Sequence, residues 1–598
     1  MKRLSRLIEG IATDAFLGDD PFVENITIDI EEVGHGTLYV ARKDWYGNTH
    51  AHVHEALARG ACAVMVSEEN LDLSGKPWVY VEAEDPALGL LSRRFYDAPT
   101  SKLQVFGVTG TNGKTSVVHL MEHLLTAMGE KPAVMGTLGY RCGEFSRPAT
   151  NTTPDAIVIH RFAAEALALG ATVLLLEVSS HGLAIGRTAG LDFDCVGFTN
   201  LSQDHLDFHG DLDAYFEAKA ILFSSALEYS REQGKVPKAC IFAASEWAQR
   251  LTQRVPDGIE QRLISVKTEG IGTGWVLSSF AESGGGSTQL QIQTTSETMA
   301  VPVPFAADFY VANAGLAVAM VEIVLGTPLP VLMPHLQSFG GVPGRLEQVV
   351  PSVYVDYAHT PDAVARVLRS LKTMTAQPIT VVIGCGGERD KSKRGEMART
   401  ARDGADYVIL TSDNPRGESP LSILADMTAA IDHGYIVEAN RTKAIGLALE
   451  RPGLVLIAGK GHETTQEIRA CKYHFDDREE VRRLSRARTA AIDALAAPYS
   501  WGWPPCDDSG GMPDVDRLKS VFGRRDSPCI VEKTFYTRHR DLILQTLDPQ
   551  QVFAMTHPGE VAEVTPRHRL VYVDLQEMDL RPDFDESSAL LEWLANQI

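Results

Sequence analysis

The segment GVTGTNGKT (Gly107 to Thr115) puts glycines, a lysine and a threonine between an apolar run, LQVFGV, and a helix-forming run, VVHLMEHLLTAMG. Glycines let backbone N–H groups curl round a phosphate, Lys114 brings positive charge to the terminal phosphates, and the Thr115 hydroxyl can hold Mg2+. The strict spacing of the common phosphate loop is not met, because Val108 stands five before Gly113. The strand before, the helix after and the intact GKT still favour phosphate binding over a plain glycine turn with a surface lysine.

Glu177 closes the run TVLLLE, where an acid at a buried strand end can complete a Mg2+ site. Alone it would be a solvated strand terminus; the neighbouring VSSHG adds hydroxyls and a tight turn. TNLSQDHLDFHG (Thr199 to Gly210) packs two histidines and two aspartates into one loop, with no cysteine or third histidine at zinc-ligand spacing. His205 therefore reads either as a magnesium or phosphate neighbour or as a satisfied structural histidine. Lys219, in YFEAKAILF, is by default a surface lysine on a helix.

Further on, GVPGRLEQV offers Arg345 and VDYAHTPDAV offers Asp356 and His359. GCGGERDKSKRGEM sets Arg389, Asp390, Lys391, Lys393 and Arg394 after a glycine turn, which taken alone is equally a solvated basic loop. TSDNPRGESP follows the strand-like ADYVIL, and AGKGHE (Ala458 to Glu463) follows LVLI. Loops just beyond strand ends are where open α/β sheets bind ligands.

The elements that must carry these residues are legible in the apolar runs. ATVLLLEVSS, FDCVGFTNLS, ITVVIGCGG, DYVILTSDN and LVLIAGKGH are continuous and bounded by polar ends, as in parallel strands buried on both faces. They alternate with helical stretches such as PDAVARVLRSLKTM, which predicts α/β doubly wound sheets. At 598 residues the chain is too long for one core, and about three or four domains are expected. PYSWGWPPCDDSGGMPD (Pro498 to Asp514) reads as a linker, followed by a small α/β unit with strands in PCIVEKTFY and RLVYVDL and a helix in DESSALLEWLANQI. ESGGGST (Glu282 to Thr288) reads as a hairpin tip. A net charge of −22 argues against nucleic acid as the main partner. Eight scattered cysteines without a C-x-x-C pair, no signal-like N-terminus and no long apolar run predict a cytoplasmic protein without a membrane partner.

In order, TGTNGKT, LEVSSHGL, FTNLSQDHLDFHG, AYFEAKAILF, PGRLE, VDYAHTPDA, GCGGERDKSKR, DNPR and AGKGHE closely resemble the Mur ligases. Among these they look most like the members that add the third residue of the peptidoglycan stem peptide. The resemblance covers about residues 1–495, strongest from Val105 onward. It implies a three-domain α/β architecture: a small nucleotide-sugar-binding N-terminal domain (1–98), a central P-loop-type ATPase domain (99–340) and a C-terminal Rossmann-like domain (341–497). A linker (498–514) and an extension (515–598) outside the resemblance would follow. It also implies that ATP phosphorylates the acceptor's carboxylate and that an amino group attacks the acyl phosphate, with the crowded charge neutralised by Mg2+, lysine and arginine.

By the same resemblance Gly110, Thr111, Asn112, Gly113, Lys114, Thr115, Asn313, Arg345, Asp356 and His359 serve ATP, while Thr115, Glu177, His205 and a carbamylated Lys219 hold the metal. Lys114, Glu177, His205, Lys219 and Arg345 form the catalytic set. Thr152, Thr153, Ser179 and Arg187 match acceptor contacts. Arg389, Asp413, Asn414, Arg416, Gly459 and Glu463 match the pocket for the incoming amino acid, and DNPR goes with meso-diaminopimelate rather than lysine. The second amino-acid end of diaminopimelate asks for Arg and Asn on its carboxylate and Glu463 on its ammonium; lysine would leave Arg416 unpaired. The implied reaction is addition of meso-diaminopimelate to UDP-N-acetylmuramoyl-L-alanyl-D-glutamate.

The chain departs from the family pattern in four places. TIDIEEV (Thr27 to Val33) replaces a DSR-like signature at the uridine end, and ARKDWYGNTHAH replaces the usual following loop. Ala307 and Tyr310 replace a glycine and an adenine-contacting asparagine, and Glu388, Ser392 and Gly395 replace Asp, Gly and Pro. Two alternatives accordingly stand beside the main reading: a related ligase with a different acyl acceptor, and a catalytically silent binding protein acting through residues 515–598. The retained Lys114, Glu177, His205 and Lys219 weigh against the silent one.

Overall fold

The computed structural model describes residues 1–496 apart from 45–46, 69–70, 74, 83, 267–273, 282–287, 306 and 470, and beyond 496 three short strands. The chain divides into two compact units, Met1–Thr489 and Ala490–Ile598.

Within the first unit three sheets follow one another along the chain. The N-terminal sheet contains β1 (Asp14–Phe16), β2 (Asn25–Thr27), β3 (Thr37–Val40), β4 (Ala63–Val66) and β5 (Trp78–Tyr80) in the order β1-β5-β4-β3-β2, parallel except for β1. All four residues of β3 and of β4 are buried, as both faces are covered. Helix α1 (Glu84–Phe95) closes it, and Gly89 on that helix packs so tightly on the next domain that a Cβ would come within 2.3 Å of the Ala189 carbonyl oxygen. Arg93, one turn on, pairs with the buried Asp192 at 3.1 Å.

The central sheet has eleven strands. In chain order they are β6 (Gln104–Thr109), β7 (Pro132–Gly136), β8 (Gly139–Cys142), β9 (Phe145–Arg147), β10 (Val173–Glu177), β11 (Cys195–Phe198), β12 (Lys238–Phe242), β13 (Glu260–Val266), β14 (Trp275–Ala281), β15 (Thr288–Gln293) and β16 (Thr298–Val303). Their order is β9-β8-β7-β10-β6-β11-β12-β13-β14-β15-β16, parallel from β7 to β14 and antiparallel at both edges. β10 is VLLLE and buried throughout, so its terminal acid emerges at the carboxyl edge with no solvent around it. Helices α2 (Lys114–Ala127), α3 (Ala156–Ala168), α4 (Leu212–Phe223) and α5 (Asp308–Leu325) cover the faces. By length and composition α5 would pass for a membrane span, contrary to the expectation of no such run. Its residues from Ala314 to Val321 are instead buried in the core against α2 and the sheet. The ESGGGST segment connects β14 to β15, which pair antiparallel from Val276↔Gln293 to Ala281↔Thr288; residues 282–287 themselves lie outside the described residues.

The third sheet comprises β17 (Glu347–Val350), β18 (Val353–Asp356), β19 (Ile379–Ile383), β20 (Tyr407–Leu410), β21 (Tyr435–Val437) and β22 (Leu454–Ala458), in the order β17-β18-β22-β19-β20-β21. All but the β17 edge is parallel. After β19 the chain moves outward to β20 and β21, and β22 then returns to the other side of β19. The carboxyl ends of β19 and β22 therefore flank the topological switch point, the crevice where such sheets bind ligands. Helices α6 (Pro361–Met374), α7 (Lys393–Gly404) and α8 (Arg441–Leu449) flank this sheet. A hairpin of β23 (Thr465–Ile468) and β24 (Cys471–His474) and helix α9 (Asp477–Ala496) follow it.

The second unit shows three parallel strands, β25 (Cys529–Ile530), β26 (Phe553–Met555) and β27 (Leu570–Tyr572), the outer two within the segments expected to be strands. The expected linker 498–514 and the helix of DESSALLEWLANQI lie outside the described residues.

Candidate active site

The turn from β6 to α2 forms a tight glycine loop. Gly110 and Gly113 adopt φ of +145° and +92°, which a side chain rarely tolerates, and a Cβ on Gly113 would lie 2.6 Å from Asn313 Oδ1. Residues just after β11 hold the loop in shape. Thr111 N–H donates to the Asn200 carbonyl (2.9 Å), Asn112 N–H to Asn200 Oδ1 (3.0 Å), and Thr199 Oγ1 to the Asn112 carbonyl (2.6 Å).

Lys114 folds back to donate to the Gly110 and Thr111 carbonyls at 2.8 and 3.0 Å. Burial pushes its pKa down, opposed by the charges of Glu177 and Asp204. Thr115 Oγ1 donates to Glu177 Oε2 at 2.8 Å, and Glu177 Oε1 accepts the Thr137 N–H at 2.9 Å. Arg345 reaches in from the third domain. Its Nη2 donates to Thr115 Oγ1 at 3.2 Å, its guanidinium lies 4.4 Å from the Tyr357 ring centroid, and its Nε is buried without a partner among the described residues. Lys114, Thr115, Glu177 and Arg345 therefore form one contiguous cluster.

Lys219 is not a surface lysine. It is fully buried on α4, 4.3 Å from the Tyr215 ring centroid, and among the described residues no carboxylate lies within ion-pair distance of it. Burial drives its pKa well down and nearby Lys114 adds to the shift, so the amine is held towards its neutral form. His205 has a left-handed backbone (φ +55°), and its ring lies 4.7 Å from that of His181. Burial drives its pKa down to about 3, opposed by Asp204. Asp204 Oδ2 sits 3.5 Å from His205 Nε2 and 4.0 Å from His359 Nε2; burial raises its pKa, but the charges around it outweigh this and hold the carboxylate ionised. Asp204 is a residue that sequence reasoning passed over, although it sits in the quoted SQDHLD. Among the described residues no three His, Cys, Asp or Glu side chains gather to hold a metal ion. A metal here would depend on Thr115, Glu177, His205 and a chemically altered Lys219 rather than on a carboxylate cage.

The remaining nucleotide candidates surround this cluster. Asn313 faces Gly113 from α5. Asp356, at the end of β18, accepts the Leu346 and Ala358 N–H groups at 2.6 and 2.7 Å, and His359 Nδ1 donates to the Tyr357 carbonyl at 2.8 Å. Tyr310, at the departing position, stacks on Phe305 (centroids 5.4 Å apart), and its hydroxyl donates to the Arg345 carbonyl at 2.5 Å. Asp362 on α6 accepts from Ser202 Oγ (2.9 Å) and Asn112 Nδ2 (3.4 Å), bringing the third domain onto the glycine loop.

The four acceptor candidates lie next to Glu177. Thr152 Oγ1 is 3.1 Å from Thr137 Oγ1, Thr153 Oγ1 donates to the Glu177 carbonyl (2.8 Å), and Ser179 N–H donates to Thr153 Oγ1 (2.8 Å). Arg187 Nη1 donates to the Thr153 carbonyl at 2.9 Å. Its Nε shares Asp155 with Arg42 of the N-terminal domain, at 3.4 and 2.7 Å respectively.

The amino-acid candidates form a second cluster at the switch point. Asn414 Nδ2 donates to Glu463 Oε2 at 2.8 Å, and the buried Lys460 donates to the same Oε2 (3.0 Å), to Asn414 Oδ1 (3.2 Å) and to the Thr465 carbonyl (2.7 Å). Lys460 stood in the quoted AGKGHE without being singled out. Arg416 is left-handed (φ +49°) and held on both sides. Its N–H donates to the Glu467 carbonyl (3.0 Å), its carbonyl accepts from Arg469 N–H (2.7 Å), and its Nη1 donates to the Gly387 carbonyl (2.8 Å). Asp413 Oδ1 accepts the Asn414 N–H (2.6 Å), and a Cβ on Gly459 (φ +113°) would lie 2.6 Å from Asp413 Oδ2. Arg389 is exposed at the rim beside Gly386. Arg394, from the same charged run, is not a solvated residue: it is buried, with Glu418 at 2.9 Å and Asp426 at 2.7 Å.

A parallel-sheet domain with a strand–glycine-loop–helix phosphate cradle, followed by a Rossmann-like domain with a polar pocket at its switch point, defines a nucleotide-using α/β enzyme. Residues 108–321 match the Mur ligase middle domain, and residues 344–461 match the Mur ligase glutamate ligase domain. The UDP-N-acetylmuramoyl-L-alanyl-D-glutamate--2,6-diaminopimelate ligase of Bacillus velezensis is 36% identical over 80% of this chain and 97% of its own length. The protein of the same name from Synechococcus elongatus is 40% identical over 73% of this chain and 88% of its own length. A solved structure of an enzyme of that name superposes with a TM-score of 0.58 at 33% identity, covering 82% of this chain and 99% of that one. The MurF ligase of Thermotoga maritima in complex with ADP, at 19% identity and a TM-score of 0.51, shares the fold. The chain belongs to the Mur ligase family, enzymes that join a carboxylate to an amine at the expense of ATP.

Proposed function

We propose that this chain adds meso-diaminopimelate to UDP-N-acetylmuramoyl-L-alanyl-D-glutamate in the cytoplasm, through an acyl phosphate formed with ATP. The observation that carries the reading is the pairing of two clusters at successive sheet edges: Lys114, Thr115, Glu177 and Arg345 at one, Asn414, Arg416 and Glu463 at the other. Residues 1–98, 99–340 and 341–497 serve the acceptor, ATP and the amino acid respectively, with 498–514 a linker and 515–598 an appended unit.

In this reading the glycine loop (Gly110 to Gly113) and Lys114 take the phosphates, with Asn313, Asp356 and His359 around the nucleotide. Lys114 exchanges its two carbonyl partners for phosphate oxygens. Arg345, already on Thr115 with Nε unpartnered, neutralises charge on the transferring group. Thr115, Glu177, His205 and carbamylated Lys219 would hold Mg2+, which supplies positive charge to the phosphate oxygens. The fit rests on Lys219: a buried, largely neutral amine with no carboxylate partner among the described residues is the form that adds CO2, and the carbamate would turn that amine into an anionic ligand. Thr152, Thr153, Ser179 and Arg187 place the acceptor's carboxylate beside Glu177. At the switch point Arg416 and Arg389 face the distal carboxylate of diaminopimelate. Asn414 and Glu463 take its ammonium, with Asp413 and Gly459 shaping the floor.

A second reading, the same chemistry on a different acyl acceptor, is favoured by the N-terminal domain. Where the family carries an arginine, this chain has acids: Asp29 accepts the Glu31 N–H, Glu32 accepts from Thr27 Oγ1, and Glu31 pairs with Arg59. Such a loop is poorly suited to a diphosphate. Phosphate release measured with ATP, UDP-N-acetylmuramoyl-dipeptide and a panel of amino acids decides between them. Turnover that needs both the UDP substrate and diaminopimelate supports the first reading; turnover only with another acceptor supports the second. No turnover with any acceptor defeats both.

A further inference from the structure

β20 and β22 carry the two loops of the amino-acid pocket, yet they are not neighbours, because β19 lies between them. The ladders on β19 end at Ile383, and Gly384 packs between the two strand ends so closely that a Cβ there would lie 2.3 Å from the Thr411 carbonyl oxygen. One side chain links the two strand ends directly. Arg441, the first residue of α8, donates from Nη1 to the Ser412 carbonyl at 3.2 Å and from Nη2 to the Ala458 carbonyl at 2.9 Å. Its Nε and Nη2 also form a two-pronged pair with Asp477, 2.7 Å on each arm, and both side chains are fully buried.

We infer that Arg441, neutralised by Asp477, is a positioning residue that sets the spacing between the Asp413–Arg416 loop and the Gly459–Glu463 loop and thereby the fit of the incoming amino acid. The bridged carbonyls each lie one residue before a pocket segment: Ser412 before Asp413, and Ala458 before Gly459. A displacement at either carbonyl passes directly into Asn414 or Glu463, which share a 2.8 Å hydrogen bond. The flat guanidinium suits this because its fixed fork addresses two carbonyls and a carboxylate at once, which a lysine ammonium does not. A buried arginine without its acid would be an uncompensated charge, which explains why Asp477, at the start of α9, lies beneath it. Both side chains are fully buried, so their effect passes through the loops.

The identity of the amino acid in this inference rests on the reading above, so the test has an arm that needs no substrate. Amide hydrogen exchange of the full-length chain is compared among wild type, Arg441→Lys and Asp477→Glu, both of which keep the charge pair. We expect faster exchange in 411–417 and 459–468 together, with β18 and α6 unchanged. In steady-state phosphate release the KM for diaminopimelate should rise about tenfold while that for ATP stays within about twofold, as a sub-ångström loss of placement implies. In the wild type alone the two loops should open with one shared protection factor, a measurement that stands even if a variant fails to fold. Independent opening of the loops, unchanged exchange in the variants, or equal changes in both KM values would overturn the inference. Loss of turnover by the wild type would count against the proposed reaction and leave the exchange result to decide on Arg441.

Discussion

The two pockets of this chain handle charge in opposite ways. Around the glycine loop, among the described residues, neither the half-buried Lys114 nor the buried Lys219 has a carboxylate within ion-pair distance, and Arg345 keeps a buried Nε unpartnered. At the switch point of the third sheet nearly every charge is already matched: Lys460 with Glu463, Arg441 with Asp477, Arg394 with Glu418 and Asp426, and Arg416 beside Glu467 at 3.5 Å. A site whose Lys114 and Arg345 have no acid partner of their own is complete only when a polyanion enters. A site whose charges are paired in advance is rigid, and it discriminates by shape and by which pair a ligand can share. The first arrangement suits a reaction common to a family; the second suits the choice of one substrate.

The largest effect that would test this contrast is at Lys114. Lys114→Ala should lower the rate of ATP-dependent phosphate release by about 10²–10³-fold, the usual cost of removing a preorganised group that meets transition-state charge. The amino-acid KM should hardly move. A loss confined to KM would mean that Lys114 only holds the loop through Gly110 and Thr111.

A smaller and more selective effect is expected on the other side. Arg416→Ala should raise the KM for diaminopimelate by roughly 10- to 100-fold, the worth of about 1.5–3 kcal/mol for a hydrogen bond to a charged group, with the KM for ATP little changed. The same variant should narrow the preference for diaminopimelate over lysine, because lysine lacks the carboxylate that Arg416 would meet. Equal changes in both KM values would erase the proposed division of labour between the pockets.

The same contrast governs what could be read from the sequence. The strands of both parallel sheets were legible because burial on both faces leaves continuous apolar runs such as VLLLE and ITVVI. The glycine loop was legible because a positive φ and a close approach demand glycine at Gly110 and Gly113. What could not be read were the long-range pairs. Arg441 begins an ordinary polar helix start, NRTKA, and its partner Asp477 lies thirty-six residues on, joined to it only by the fold. Lys219 read as a surface lysine because nothing local reveals that α4 is buried on that side. Arg394 sits in a run of charges that looks the same whether solvated or locked; only the return of the chain at Glu418 and Asp426 makes it a buried anchor.

That anchor supplies the smallest expected effect. Glu418 binds Arg394, accepts the Glu388 N–H at 2.6 Å and meets Lys391 at 3.2 Å, and these contacts, Arg394 foremost, hold its carboxyl down to about 2. A carboxyl whose pKa is lower in the folded state stabilises the fold fully above its unfolded value and loses that contribution as pH falls towards the folded one. The expected window thus runs from about 4.5 down to about 2. The protection factors of α7 amides, with the intrinsic pH dependence of exchange divided out, should therefore fall between pH 5 and pH 3 in the wild type. Arg394→Met keeps the bulk but removes the partner, so it should flatten that dependence and raise exchange at pH 7 only modestly. The loop carrying Arg416 should loosen with it, since Glu418 follows two residues later. If α7 protection keeps its full pH dependence in Arg394→Met, another carboxylate sets it, and the pairing at the rim does not contribute to the rigidity of the amino-acid pocket.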